Sequence, residues 1–273
     1  MTVLGPADTF EAAKGEGPDW RLRSACAVAV MAKASIAGET KTRLVPPLTK
    51  EEAATINTAF LQDAADSMLA AAAFANITAW MAYAPAGSEA FFRTHLPERI
   101  GLIETVAPTL GECLLHAAST LLRAGHGAAC LINSDSPTLP IGYLVAAAIA
   151  LAVPGDRIVL GPSTDGGYYL IGMKRPHPGL FEGIAWSTDQ VFAQTLARAG
   201  ALDLPVFELP SWYDVDNTQA LRVLVHEVID GKPFRDAGTS TPATWTRRHV
   251  AALIEESALR ERIDAAHNAD GPP

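Results

Sequence analysis

Carboxylates recur in this chain just past apolar runs. Ala128–Ile132 is followed by Asn133-Ser134-Asp135-Ser136-Pro137, and Arg157–Leu160 by Gly161-Pro162-Ser163-Thr164-Asp165-Gly166-Gly167-Tyr168-Tyr169. If both runs are buried strands, the two turns lie on one edge of a sheet, the edge where open α/β sheets bind ligands. Asp135, with a serine on either side, suits a hard cation such as Mg²⁺, which keeps waters and shares phosphate oxygens with a substrate. An Asx turn or N-cap ahead of a helix after Pro140 explains it equally well. The paired glycines at 166–167 permit positive φ or close approach of a ligand, although Asp-Gly is also an ordinary hairpin signal. A third acidic string, Trp212-Tyr213-Asp214-Val215-Asp216-Asn217-Thr218, sets two carboxylates two residues apart, on one side of an extended chain. Both could share a metal with Asp135, while Asp216 or Asn217 equally serves to cap the next helix.

The loop after the first apolar run reads Ala32-Lys33-Ala34-Ser35-Ile36-Ala37-Gly38-Glu39-Thr40-Lys41-Thr42-Arg43-Leu44. Loops of this kind hold phosphates through backbone amides, with lysine as a point charge and arginine as a planar fork. Lys33, Lys41 and Arg43 would supply those charges in a chain of formal net charge −9. A solvated surface loop is the plain alternative. The spacing is not GxxxxGK[ST], and GxGxxG occurs nowhere in the chain. Asp214-Val215-Asp216-Asn217-Thr218 also spells Asp-x-Asp-x-Thr, the nucleophile motif of haloacid-dehalogenase-type phosphatases. That motif belongs after an early strand with an acidic partner downstream; here it comes last.

The elements that must position these residues follow from periodicity. Strands are predicted over Ala25–Ala32, Ile77–Tyr83, Ile100–Thr105, Ala128–Ile132, Arg157–Leu160, Tyr168–Met173 and Leu204–Leu209. Helices alternate with them: one opened by the Thr49/Glu52 capping box and running to Ala72, then Ser88–His95, Glu112–Arg123, one after Pro140, Thr188–Ala199 and Asn217–Asp230. This alternation implies an α/β fold with a mostly parallel sheet. No helix precedes Tyr168–Met173, so an antiparallel insertion fits there. Residues 1–23 read as a flexible tail, 24–231 as the domain, and 232–273 as a helical extension. Pro242–His267 could form one amphipathic helix, with Trp245, Val250, Leu253, Ile254 and Leu259 on a face that packs on the domain or on a second copy in a homo-oligomer.

With 273 residues, 49% hydrophobic and 19% charged, the chain can bury a sizeable core. Its acidity argues against a nucleic-acid partner, which needs a basic face. Cys26, Cys113 and Cys130 form no CxxC pair and read as reduced thiols. No apolar run reaches the length of a membrane span and no signal-peptide pattern opens the chain, so a cytoplasmic location is expected.

KTRL after the first strand, SDSPTLP, GPSTDGGYYLIGM, Trp186-Ser187-Thr188 and YDVDNT occur in that order. As an ordered set they resemble the DUF2064 family, also called rSAM/selenodomain-associated transferase 1, over roughly Ala25–Gly231. The resemblance implies the three-layer α/β/α, Rossmann-like glycosyltransferase-A fold of the nucleotide-diphospho-sugar transferases. It also implies a nucleotide donor, a small-molecule acceptor and Mg²⁺ or Mn²⁺. Carried over by motif, Lys33, Gly38, Lys41, Thr42 and Arg43 would grip the nucleotide, with Lys41, Arg43 and Asp135 catalytic. Asp135 and Asp216, less surely Asp214, would hold the metal, and Asp165, Gly166, Gly167 and Tyr168 would line the acceptor side. The family commonly has prolines where Ser35 and Ala37 stand, which bears on the loop's rigidity. Three cations suit a triphosphate, and Asn133-Ser134-Asp135 offers one carboxylate where glycosyltransferases usually show Asp-x-Asp. Nucleotidyl transfer is therefore expected ahead of glycosyl transfer, with a phosphatase using Asp214 or a nucleotide-binding protein without turnover as further alternatives.

Overall fold

Eight strands form one sheet in a computed structural model that describes residues 3–4, 20–235 and 240–269. They are β1 (Val3–Leu4), β2 (Cys26–Lys33), β3 (Ile77–Ala84), β4 (Gly101–Glu104), β5 (Ala128–Ile132), β6 (Ile158–Pro162), β7 (Tyr168–Met173) and β8 (Val206–Glu208). Their spatial order is β1-β4-β3-β2-β5-β7-β6-β8. Every pairing is parallel except those of β7, which runs antiparallel between β5 and β6. The antiparallel insertion expected at Tyr168–Met173 is present. Because β7 runs backwards, its first residues share an edge with the last residues of the parallel strands.

The helices are α1 (Trp20–Arg23), α2 (Lys50–Ala71), α3 (Glu89–His95), α4 (Leu110–Arg123), α5 (Ile141–Ala152), α6 (Val191–Ala201), α7 (Thr218–Val228), α8 (Thr244–Ser257) and α9 (Leu259–Ala269). They cover both faces, giving the three-layer α/β/α arrangement. The continuous apolar run of β2 is explained by that sandwich: Cys26, Val28, Val30 and Ala32 join the core under α2, α5 and α7, while Ala27 and Ala29 join the core under α4 and α6. A strand buried on both faces has no place for a polar residue. Thr49 and Glu52 form the predicted capping box, and Arg262 of α9 closes on the Glu52 carboxylate with two hydrogen bonds of 2.9 and 3.1 Å.

Two expectations need amendment. Within the tail expected over 1–23, Val3–Leu4 pairs with β4 and Trp20–Arg23 is helical; residues 1–2 and 5–19 lie outside the described residues. Pro242–His267 is two helices, broken where Ala258 adopts a left-handed backbone (φ 50°, ψ 44°). That break turns α9 back onto α7, so Val250, Leu253, Leu259 and Ile263 all enter the main core. The extension thus covers most of its apolar face with its own domain, while Trp245, expected on that face, stays 38% exposed. Cys26 and Cys130 are buried thiols with sulfurs 3.6 Å apart, as expected of reduced cysteines. Among the described residues no helix is long and apolar enough to cross a membrane.

Candidate active site

The strand order changes direction beside β2. From β2 the chain builds outward through β3 and β4 on one side and returns to start β5 on the other. Loops leaving β2 and β5 therefore diverge and open a crevice at the carboxyl ends of the strands. The β2 loop brings Lys33, Lys41, Thr42 and Arg43, and the β5 loop brings Ser134 and Asp135. Asp216 arrives from the segment ahead of α7. These residues line a cleft of about 420 Å³, with Met31, Glu39, Thr40, Asn57, Leu110 and Ser187 completing its wall.

Lys41 is the centre of this arrangement. Its Nζ donates to Asp135 Oδ1 at 2.8 Å, to Asp216 Oδ1 at 3.0 Å and to the Val215 carbonyl at 2.8 Å. Its side chain is 6% exposed, against 26% for Asp135 and 36% for Asp216. Burial by itself would lower the lysine's pKa, but the two carboxylates hold it above the ordinary value. Burial pushes the other way at Asp135, yet the Lys41 charge and hydrogen bonds from Lys41 and Ser134 keep its carboxyl below the usual range. At Asp216 burial, helped by the nearby Asp135 charge, prevails over Lys41, and the carboxyl is raised. Asp214 is pushed up to about 7, by burial first and then by the charges of Asp165, Asp216 and Asp135. The two acidic segments are fastened to each other, since Val215 N–H donates to the Asp135 carbonyl at 2.8 Å and the Ser136 hydroxyl to the Tyr213 carbonyl at 2.8 Å.

The structure redistributes several expected roles. Lys41, expected to grip phosphate, spends all three N–H donors on protein oxygens. Gly38 takes φ +82° in the turn that precedes the cleft and does not line it. A Cβ on Gly166 would stand 2.2 Å from the Asp189 carbonyl oxygen, so that glycine is required by a neighbouring segment of chain and not by a ligand. Phe192 N–H bonds the Gly166 carbonyl at 2.9 Å, tying the turn to α6. Gly167 meets nothing nearer than the Asp165 side chain at 3.2 Å, and Asp165 Oδ1 accepts from Gly167 N–H at 2.9 Å. Tyr168 packs with the core under α4 and α6, its hydroxyl buried beside Thr195, so it does not form the acceptor wall expected of it. Asp-x-Asp-x-Thr follows β8 at the sheet edge, which sets the phosphatase reading aside.

Asn57 and Thr58, which support the site from α2, left no sequence signal. Asn57 of α2 donates to the Lys33 carbonyl at 3.2 Å and to Ser35 Oγ at 2.9 Å, and Thr58 donates to Ser35 Oγ at 2.8 Å. Ile36 N–H donates to Thr40 Oγ1 at 2.7 Å, and Thr40 Oγ1 donates back to the Ile36 carbonyl at 2.8 Å. Hydrogen bonds thus hold the loop where prolines were expected at 35 and 37. Ser187, at φ +63°, brings the segment before α6 into the cleft wall.

A divalent cation is consistent with this donor set. Asp135, Asp214, Asp216 and Asp165 are hard oxygen donors close enough to perturb one another, and Lys41 is the cation bonded to Asp135 and Asp216. Among the described residues no three such side chains form a ready cage. Mg²⁺ needs none, since it binds through one or two carboxylates plus waters and phosphate oxygens.

A three-layer sheet with its acidic and basic loops gathered at the switch point defines the glycosyltransferase-A class of nucleotide-diphospho-sugar transferase folds. Residues 58–188 match the family described as "Uncharacterized protein conserved in bacteria (DUF2064)". A crystal structure from Desulfovibrio desulfuricans G20, provisionally described as a nucleotide-diphospho-sugar transferase, is 26% identical with a TM-score of 0.68, over 85% of this chain and 97% of that one. A cytidylyltransferase of Leptospira borgpetersenii is 11% identical with a TM-score of 0.49, over 86% and 95% of the two chains. No curated protein matches the chain.

Proposed function

We propose that this chain is a cytoplasmic, metal-dependent transferase that uses an activated nucleotide, with nucleotidyl transfer to a small phosphorylated or hydroxylated acceptor ahead of glycosyl transfer. The observation that carries the reading is the meeting of Lys33, Lys41 and Arg43 with Asp135 and Asp216 in one cleft at the switch point. Departing pyrophosphate needs several cations, and a preorganised set lowers the barrier without covalent work by the protein. Lys33 and Arg43 are exposed on the wall and available to phosphate oxygens, with the Thr42 hydroxyl beside them. A smaller cavity of about 220 Å³ shares Lys33, Glu39 and Thr40 with the cleft, giving the nucleotide a second compartment. Asp135 and Asp216, with Asp214 close by, would hold Mg²⁺ or Mn²⁺, which when bound supplies Lewis-acid charge at the phosphates. Asp165 and Gly167 would face the acceptor. Glycosyl transfer is the second reading, favoured by the description of the Desulfovibrio protein.

Thermal-shift screening of nucleoside triphosphates and nucleotide sugars, with and without Mn²⁺, separates the two. Nucleoside triphosphates with Mn²⁺ should raise Tm; stabilisation by nucleotide sugars alone would overturn nucleotidyl transfer. Asp135→Ala should abolish the Mn²⁺-dependent part of the shift, and an unchanged shift would remove Asp135 from the metal site.

A further inference from the structure

The three cations of the β2 loop divide into two kinds. Lys33 and Arg43 are exposed to the cleft, while Lys41 is buried with its ammonium enclosed by Asp135, Asp216, the Val215 carbonyl and the Phe60 ring at 5.4 Å. Lys41 also holds a left-handed backbone (φ 53°, ψ 37°), a conformation that side-chain-bearing residues rarely adopt. We propose that Lys41 is the resident counter-ion of the Asp135–Asp216 pair, that a divalent cation and the Lys41 ammonium are alternative occupants of that pair, and that this exchange couples cation binding to phosphate binding. The inference rests on the metal-dependent reading above and adds the order in which the site fills.

Charge and donor counting carry it. An ammonium has three N–H donors, and all three are spent here, so Lys41 can meet a phosphate only by leaving the carboxylates. A cation that takes the carboxylates strands a buried ammonium, which is costly without a partner. Polyphosphate removes that cost by accepting the released charge. Cation and polyphosphate therefore favour each other, while either alone works against the resident ion pair. By linkage the same coupling acts in both directions. The carboxylate pair is kept satisfied before substrate arrives, and the charge that satisfies it becomes the charge that receives the phosphates.

Mn²⁺ alone, titrated by electron paramagnetic resonance of the free ion into full-length wild type and Lys41→Met, tests this. Lys41→Met should bind Mn²⁺ more tightly, by roughly 5- to 150-fold, the usual range of coupling between sites. Equal or weaker affinity in Lys41→Met overturns the exchange and leaves the metal reading standing. Mn²⁺ binding to neither protein overturns both. A second measurement needs no variant: acetylation of Lys41 by an N-hydroxysuccinimide ester, followed by mass spectrometry against the exposed Lys50. Labelling of Lys41 should be slow in metal-free protein, rise with Mn²⁺ and fall again when tripolyphosphate is added. Labelling unchanged at saturating Mn²⁺ would sink the proposal.

Discussion

At Asp214, burial and three neighbouring carboxylates push the carboxyl up to about 7 from an ordinary 3.8. A carboxyl whose folded pKa is raised favours the folded state below the unfolded pKa and loses that contribution as pH rises through the folded value. Metal-free protein should therefore lose stability between about pH 4 and pH 7 from this one group. Asp214→Asn removes the penalty and should be more stable than wild type at pH 8 in EDTA by roughly 1–3 kcal/mol, with the difference fading toward pH 4. Urea denaturation at both pH values checks this, and a variant no more stable at pH 8 would refute it. The acidic and basic segments that meet in the cleft were legible at this scale because each follows a recognisable apolar run. Their pairing was not: Lys41 meets a carboxylate 175 residues further along the chain, and periodicity reports only neighbours. Gly166 shows the same limit, since the backbone it accommodates belongs to Asp189.

Among elements, α8 begins without a cap of its own; Ala243 offers no side chain to the first turn. Asp63 of α2 supplies one from outside, accepting Trp245 N–H at 3.0 Å and Thr246 N–H at 2.8 Å, while Asp66 accepts the Trp245 indole N–H at 3.0 Å. Buried helix-end donors left unpaired cost as much as a lost hydrogen bond or more. Asp63→Ala should destabilise the protein by about 1–3 kcal/mol, read from the urea midpoint, and should leave the β2 loop intact. The capping box expected at Thr49/Glu52 is formed and a second forms at Thr109/Glu112; partners three residues apart make both legible in the sequence. The break at Ala258 was unreadable for the opposite reason. Alanine is the best helix former, so nothing local ends the helix there, and the turn is imposed by the packing of Leu259 and Ile263 into the core.

For the whole molecule, the C-terminal extension is part of the domain's interior. Burying Val250, Leu253, Leu259 and Ile263 contributes roughly 6–12 kcal/mol at 1.5–3 kcal/mol per side chain, an upper bound given a compact unfolded chain. That is comparable with the roughly 5–15 kcal/mol of a typical domain's net stability. A chain truncated after Gly231 should fail to give a cooperative thermal transition, and retention of a wild-type Tm would show the extension to be dispensable. The α/β class and the antiparallel strand were legible from the alternation of runs. The strand order, and with it the position of the crevice, depends on pairings between distant segments that no local pattern encodes.

The bond from Val215 N–H to the Asp135 carbonyl has a practical corollary. It joins loops that belong to the middle of the chain and to its last third, and it lies against the ion pair itself. Its hydrogen can exchange with deuterium only when those loops part, so the exchange rate at this single amide is a clock for spontaneous opening of the crevice. The slowing of that clock by each added compound would rank substrates for a catalyst before any product has been identified.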